Sequence, residues 1–270
     1  LNSPEVNIST VEDPVEYRIV GVNQTQINPL AGMTFASGLR SLLRQDPNVL
    51  MVGEIRDGDT ADMAVQAALT GHLVFSTLHT NNAATCLPRL LDMGVEPFLI
   101  ASTVRVVIGQ RLVRRLCSDC REVYAPDEGV LERVSDTFNL RHKEDFERIH
   151  HMEQAAIAAG IGTEHASSVH QQSSAEPGSN ASTIVKLWRA HDNGCANCNN
   201  AGYRGRLGIY EVLANNKNIQ KGIVTNTTSE DLEAQAIKDG MVTMQIDGFI
   251  KALRGQTTLE EIMRATTAQE

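Results

Sequence analysis

Val49-Leu50-Met51-Val52 is an unbroken apolar run, followed at once by Gly53-Glu54. A strand that is apolar at every position, rather than at alternate ones, is buried on both faces, which is the pattern of a parallel sheet covered by helices. The flanks agree. Upstream, Thr34 is placed to cap a helix whose apolar residues Phe35, Leu39, Leu42 and Leu43 fall at i, i+4, i+7 and i+8, and Asp46-Pro47 stops it. Downstream, Asp59 or Thr60 opens a second helix, with Met63, Ala64, Ala67 and Ala68 inside and Gly71 past its end. Val6 to Val11 reads as a strand before these elements and Leu73 to Leu78 as another after them. A helix over Ala83 to Met93 ends at Gly94, with Pro88 kinking it or delaying its start, and Pro97 to Leu116 is expected to be helical. Strands alternating with helices of this length predict an α/β domain over residues 1–116.

The texture then changes. Residues 117–205 hold two C-x-x-C pairs, and the 74 residues between the pairs include a stretch rich in Ser, Gly, Gln and Ala, Gly160 to Ser182, expected to be a loop. Residues 206–270 are expected to be mostly helical after a strand at Leu207 to Leu213. Thr228 with Asp231 caps a helix running to Gly240, and Thr258 with Glu261 forms a capping box for a last helix.

Charge and hydropathy exclude several classes. The net charge is −9, with 11 acidic and 9 basic side chains in residues 1–116 and 22 and 15 in residues 117–270. Neither part has the basic excess of a nucleic-acid binder, although Arg111, Arg114 and Arg115 make a local basic spot able to meet phosphates or acidic lipids. No apolar stretch approaches the roughly 18 residues of a membrane span. Leu1 to Thr10 has neither the basic start nor the apolar core of a signal peptide.

Four constellations carry chemistry. Glu54 follows an apolar strand, where the open parallel sheet places its ligands and where a carboxylate can hold a magnesium-bound water or polarise an attacking one; alone, the pattern fits equally a strand and a solvated turn. Glu12, Asp13 and Glu16 crowd one strand end, which costs repulsion unless cations compensate, or else form an acidic surface turn. His72 and His79 flank the strand Leu73 to Leu78, with Ser76, Thr77 and Thr80 beside them. They suit γ-phosphate sensing or are two structural histidines. Cys117, Cys120, Cys195 and Cys198 form two knuckles able to complete a tetrahedral thiolate site, or two unrelated reduced pairs. Cys86 reads as a small buried residue, and His150, His151, His165 and His170 as solvated. The six lysines, Lys143, Lys186, Lys217, Lys221, Lys238 and Lys251, include none that follows Gly or precedes Ser or Thr, so these 270 residues hold no G-x-x-x-x-G-K-[ST] phosphate loop.

The chain resembles the secretion ATPases of the type II secretion and type IV pilus assembly class. The matching text is Thr10-Val11-Glu12-Asp13-Pro14-Val15-Glu16-Tyr17, that family's Asp box; Leu39 to Pro47; Met51 to Asp57, its Walker B; Thr70-Gly71-His72 through His79-Thr80-Asn81, its His box; Gln110 to Cys117; and Gly202 to Glu211. The match covers nearly everything outside residues 125–190. It implies an incomplete RecA-like parallel-sheet core with an inserted tetracysteine zinc subdomain and a C-terminal helical subdomain. It implies further a cytoplasmic homo-hexameric motor at the inner face of the cytoplasmic membrane, which hydrolyses ATP with Mg2+ and Zn2+ as cofactors and docks on an inner-membrane platform protein. By the same resemblance Glu16 is the base for the attacking water and Glu54 acts on the magnesium side. His72 and His79 respond to the γ-phosphate, while Glu12, Asp13, Arg56 and Thr77 contribute to the nucleotide site. The four paired cysteines match the family's zinc motif, which retraction ATPases of the twitching type generally lack. Two departures stand out: the 74-residue insert, and Asn48 where the family often has Asp. The resemblance also places the phosphate loop upstream of residue 1, so that the isolated chain is expected to be inactive. Competing expectations are a non-catalytic, zinc-organised interaction module and a competence or conjugation ATPase of the same superfamily.

Overall fold

Every apolar position of the Val49–Val52 run has a place in the sheet. In the computed structural model, which describes residues 1–138, 140, 143–158, 184 and 186–267, the elements run in chain order β1 (Ile8–Glu12), β2 (Val22–Gln26), α1 (Phe35–Leu42), β3 (Val49–Val52), α2 (Gly58–Leu69), β4 (Leu73–Ser76), α3 (Ala83–Asp92), α4 (Pro97–Thr103) and β5 (Val106–Leu116). They continue with β6 (Glu122–Tyr124), α5 (Glu128–Thr137), α6 (Lys143–Ala158), β7 (Leu187–Arg189), β8 (Tyr203–Ala214), α7 (Lys217–Val224), α8 (Ser229–Lys238), α9 (Met244–Leu253) and α10 (Leu259–Thr267). The chain divides into two compact units, one of Leu1–Val107 and Leu213–Met241, the other of Ile108–Val212 and Val242–Glu270. Among the described residues no helix is long and apolar enough to cross a membrane.

The first unit is built on a parallel four-stranded sheet of order β2-β1-β3-β4. Its central strands supply Val11, Leu50 and Val52, all fully buried, and the core is completed by Leu39, Leu87 and Ile100 and by Leu213, Ile219, Ile223 and Leu232 from far along the chain. The helix starts follow local chemistry. Thr34 accepts the Ser37 N–H and Ser37 reaches back, closing the capping box of α1. Asp57 accepts from the Thr60 N–H, so the cap lies two residues before Asp59 and α2 begins at Gly58. Asn82 and Thr85 cap each other at the start of α3, and Pro88 lies inside that helix without delaying its start.

Two strands depart from the expected pattern. Residues 97–116 are not one helix: α4 ends at Thr103, Val104 is extended (φ −66°, ψ 128°), and β5 follows. The cause is a β-branched cluster, Val104, Val106, Val107 and Ile108, which restricts χ1 in a helix and packs well on a pleated surface. β2, sequence VNQTQ, has no apolar alternation and takes its place through ladder bonds to β1.

The second unit contains the paired strands β5 and β8, the three-residue pair β6–β7, and helices α5, α6, α9 and α10. Its core gathers Val134, Phe138, Ile149, Leu187, Phe249, Leu253 and Ile262, with the Phe138 and Phe249 rings stacked at 4.6 Å. The helices between the cysteine pairs therefore contribute to that core. The stretch 160–182, with His165 and His170, lies outside the described residues, as does the side chain of His150.

Candidate functional site

The parallel register lines up the carboxyl ends of three strands, because Val11 pairs with Val52 and Val52 with Ser76. One residue further on stand Glu12, Gly53 and Thr77. The three are stitched together: the Gly53 N–H donates to Val11 O (2.8 Å), the Ile55 N–H to Thr77 O (2.9 Å), and the Thr77 hydroxyl to Gly53 O (2.7 Å). Gly53 has little room for a side chain, since a Cβ there would lie 3.2 Å from Val11 O and 3.3 Å from Glu12 Cα. These contacts are with backbone, so the small residue before the carboxylate is a packing requirement.

Glu54 then turns into a near-closed position, only 8% exposed. One carboxylate oxygen takes the Arg56 guanidinium at 2.6 Å and the other lies 3.1 Å from His79 Nε2. The hydrogen bond from Arg56 holds the carboxyl below its ordinary range, outweighing the upward push of burial, and His79 adds to it. Glu54 is therefore an ionised acceptor, while both partners are largely solvent-facing, Arg56 at 63% and His79 at 84% side-chain exposure. Asp13 adds a second negative charge near Arg56.

The other sequence candidates are distributed differently. Glu12 is buried, accepting the Thr10 hydroxyl at 2.5 Å and the Gln24 amide at 3.0 Å. Gln24 lies on β2 and could not have been singled out beforehand, because VNQTQ carries no pattern that separates it from a loop. Asp13 and Glu16 are exposed in the β1–β2 connection. His72 sits before β4, at the opposite end of that strand from His79. Its Nδ1 is 2.9 Å from Ala67 O and 3.0 Å from the Thr70 hydroxyl. A carbonyl only accepts, so Nδ1 carries the proton, and the ring is fixed on the last turn of α2. Thus the fold brings Glu54, Arg56, His79 and Thr77 to one sheet end and keeps His72 away from it.

The second unit gathers Cys117, Cys120, Cys195 and Cys198, whose sulfurs all lie within 4.8 Å of one another. The Cys117–Cys195, Cys120–Cys198 and Cys195–Cys198 sulfur separations are each 3.8 Å. A disulfide needs about 2.05 Å, and all five cysteines of the chain are free thiols. Tetrahedral thiolates at about 2.3 Å from a zinc ion stand about 3.8 Å apart, so the donor set and its spacing fit that metal. Second contacts agree. Burial raises the Cys198 thiol, but N–H groups of Cys195 (3.1 Å) and Gly202 (3.2 Å) point at its sulfur and lower it, while burial and the neighbouring sulfurs push the Cys120 thiol up. Asn197 and Asp119, inside opposite knuckles, are bonded at 2.6 Å. Cys86 stands apart in α3, its thiol pushed up to about 11 by burial.

A parallel sheet with carboxylates at its strand ends and a tetrathiolate cluster in a second unit define the class. The Type II/IV secretion system protein family matches residues 1–264, and the chain belongs to that family. It is 44% identical over 266 residues to the type II secretion system protein E of Dickeya dadantii, covering 98% of this chain and 44% of that protein. It is 41% identical over 264 residues to the type IV pilus assembly ATPase PilB of Thermus thermophilus, covering 98% and 25%. The chain thus spans less than half the length of these relatives. Among solved structures, the pilus retraction motor PilT with bound ADP has the same fold (TM-score 0.55, 24% identity, 96% of this chain and 52% of that one). So does the DotB ATPase of Legionella pneumophila (TM-score 0.54, 18% identity, 95% and 50%).

Proposed function

We propose that this chain is part of an ATP-hydrolysing motor that powers type IV pilus assembly or type II protein secretion, as a homo-hexamer on the cytoplasmic side of the inner membrane beside an inner-membrane platform protein. The observation that carries this is Glu54: an ionised carboxylate at the carboxyl end of β3, bonded to Arg56 and His79.

Phosphoryl transfer leaves the protein little covalent work, so its residues act by position and charge. Magnesium, when bound, neutralises the nucleotide phosphates. Glu54 accepts hydrogen bonds from a water on that side. Arg56 and His79 are exposed on their outer faces and exchange the Glu54 contact for phosphate oxygens when nucleotide arrives. Asp13, Glu12 and Thr77 shape the floor beside them. Glu16 takes the proton of the attacking water, and His72, held on the last turn of α2, anchors the amino end of β4 away from the nucleotide. The four cysteines hold one zinc ion as a structural site, since four thiolates leave no open coordination position.

Two measurements check this. The purified 270-residue chain is expected to show no magnesium-dependent ATP turnover, because its sequence offers no phosphate loop; turnover that Glu16→Gln abolishes would contradict that. Elemental analysis of protein purified without chelator is expected to find one zinc per chain, and folded protein with none would remove the metal from the proposal.

A further inference from the structure

We infer, building on the metal reading of the four cysteines, that the tetrathiolate site locks the turn between α9 and α10, and that Arg121 and Trp188 transmit the lock. Five bonds reach residues 253–258 from segments flanking the cysteines. The Leu116 N–H donates to Gln256 O (2.9 Å), the Thr257 hydroxyl to Arg114 O (2.8 Å), Arg121 Nη1 to Gly255 O (2.5 Å) and Trp188 Nε1 to Leu253 O (3.2 Å), and Tyr203 Oη meets Thr258 Oγ1 (3.4 Å). Leu116 immediately precedes Cys117 and Arg121 immediately follows Cys120.

The Trp188 ring touches two of these partners. Arg121 stands over one face, 4.6 Å from the centroid, a cation–π arrangement. Gly255 lies against the ring with φ +67°, and a Cβ there would come within 2.7 Å of it. Only glycine suits both that backbone and that contact. Trp188 is 6% exposed, so its ring is nearly closed to water.

The two halves of the clamp depend on the metal to different degrees. Leu116 and Tyr203 sit on the long strands β5 and β8, which pair with each other whether or not the sulfurs are joined. Arg121 and Trp188 are 67 residues apart in sequence; among the described residues their segments are joined by the three-residue ladder β6–β7 and by the surface contacts of Arg189 with Glu122 and Tyr124, and a ladder that short is marginal by itself. Without a cation nothing covalent joins the four sulfurs, which are free thiols standing 3.8 Å apart across the two pairs. Metal loss therefore opens the Arg121–Trp188–Gly255 side first and frees the α9–α10 turn.

The chain has a single tryptophan, so its fluorescence reports this contact alone. The test strips zinc from the full 270-residue protein with a chelator, verifies the loss by elemental analysis, and follows Trp188 emission and amide exchange. We expect a red shift and exchange at residues 253–258 faster by about tenfold or more, reversed by added zinc, with β1 and β3 unchanged. Arg121→Gln, with zinc still bound, is expected to give the same red shift and local exchange. Zinc removed with Trp188 and the turn unmoved overturns the coupling while leaving the metal site standing. Protein that binds no zinc overturns the metal reading and the coupling with it. If the stripped protein unfolds throughout, Arg121→Gln decides: unchanged emission and exchange in that zinc-loaded variant overturns the coupling.

Discussion

In the motor proposed above, Glu54→Gln is expected to cut ATP turnover by about 10²–10³-fold while leaving the protein folded. The substitution keeps shape and removes charge. Its structural cost is small, because Arg56 is 63% exposed and is resolvated when its partner becomes neutral; an ion pair with one such arm contributes under about 1 kcal/mol. Its chemical cost is large, because Glu54 is held ionised in a near-closed position at the end of β3. A neutral amide there accepts a magnesium-bound water poorly and leaves His79 without its anionic partner. The measurement is phosphate release at saturating ATP, with thermal unfolding as the control for folding. Turnover within threefold of the unchanged protein at equal Tm would show that Glu54 does no more than hold Arg56 and His79.

Glu261→Gln is expected to cost about 3 kcal/mol of stability in the second unit at neutral pH. Glu261 is 1% exposed. It receives the Arg114 backbone N–H (2.8 Å), the Arg114 guanidinium (2.7 Å) and the Arg264 guanidinium (2.9 Å). Arg114 also stacks on Tyr203, 4.1 Å from the ring centroid. Burial pushes the Glu261 carboxyl up, but these hydrogen bonds outweigh burial and bring it down to about 2 from 4.5. A depressed acid stabilises the fold at pH above its unfolded value. The contribution is complete above about 4.5 and is lost as pH falls through about 2. The unchanged protein should therefore lose stability between pH 4.5 and 2, while Glu261→Gln starts lower and loses less. Urea unfolding at pH 7, 4 and 2.5 checks this, and parallel curves for the two proteins would count against it. The same residue explains the last helix: Thr258 caps it through the Glu261 N–H at 3.4 Å, while the Glu261 carboxylate is spent on the two arginines.

Several elements were legible because their causes are local. The α1 and α8 caps at Thr34 and Thr228 need only a hydroxyl three residues ahead of an orphan N–H. β3 needs only an apolar run, and a parallel sheet follows from it. Each cysteine pair is legible as a two-sulfur knuckle because C-x-x-C turns both sulfurs the same way. The apolar residues of Phe98 to Leu116 fit a helix as well as a strand; the β-branched cluster from Val104 tips β5 to a strand and pairing with β8 completes it. β2 gave no signal at all, because its side chains are polar and its place is set by hydrogen bonds to β1.

The sequence alone determined that Glu54 follows an apolar strand and that each C-x-x-C aims its two sulfurs the same way, because local geometry suffices for both; that the two cysteine pairs, 74 residues apart, meet was decided by the tertiary structure. What tertiary structure alone decided is which of these groups meet. It paired Glu54 with Arg56 and His79, left His72 on the last turn of α2, and placed Leu213, Ile219 and Leu232 in the core of the first unit. It also carried Arg121 and Trp188 to the α9–α10 turn. Apart from the local Glu54–Arg56 and His72–Ala67 contacts, these join residues far apart in the chain, as Glu54 and His79 or Arg121 and Gly255 are, and no periodicity records them. They form only when burial of the two cores offsets the entropy of closing such long loops.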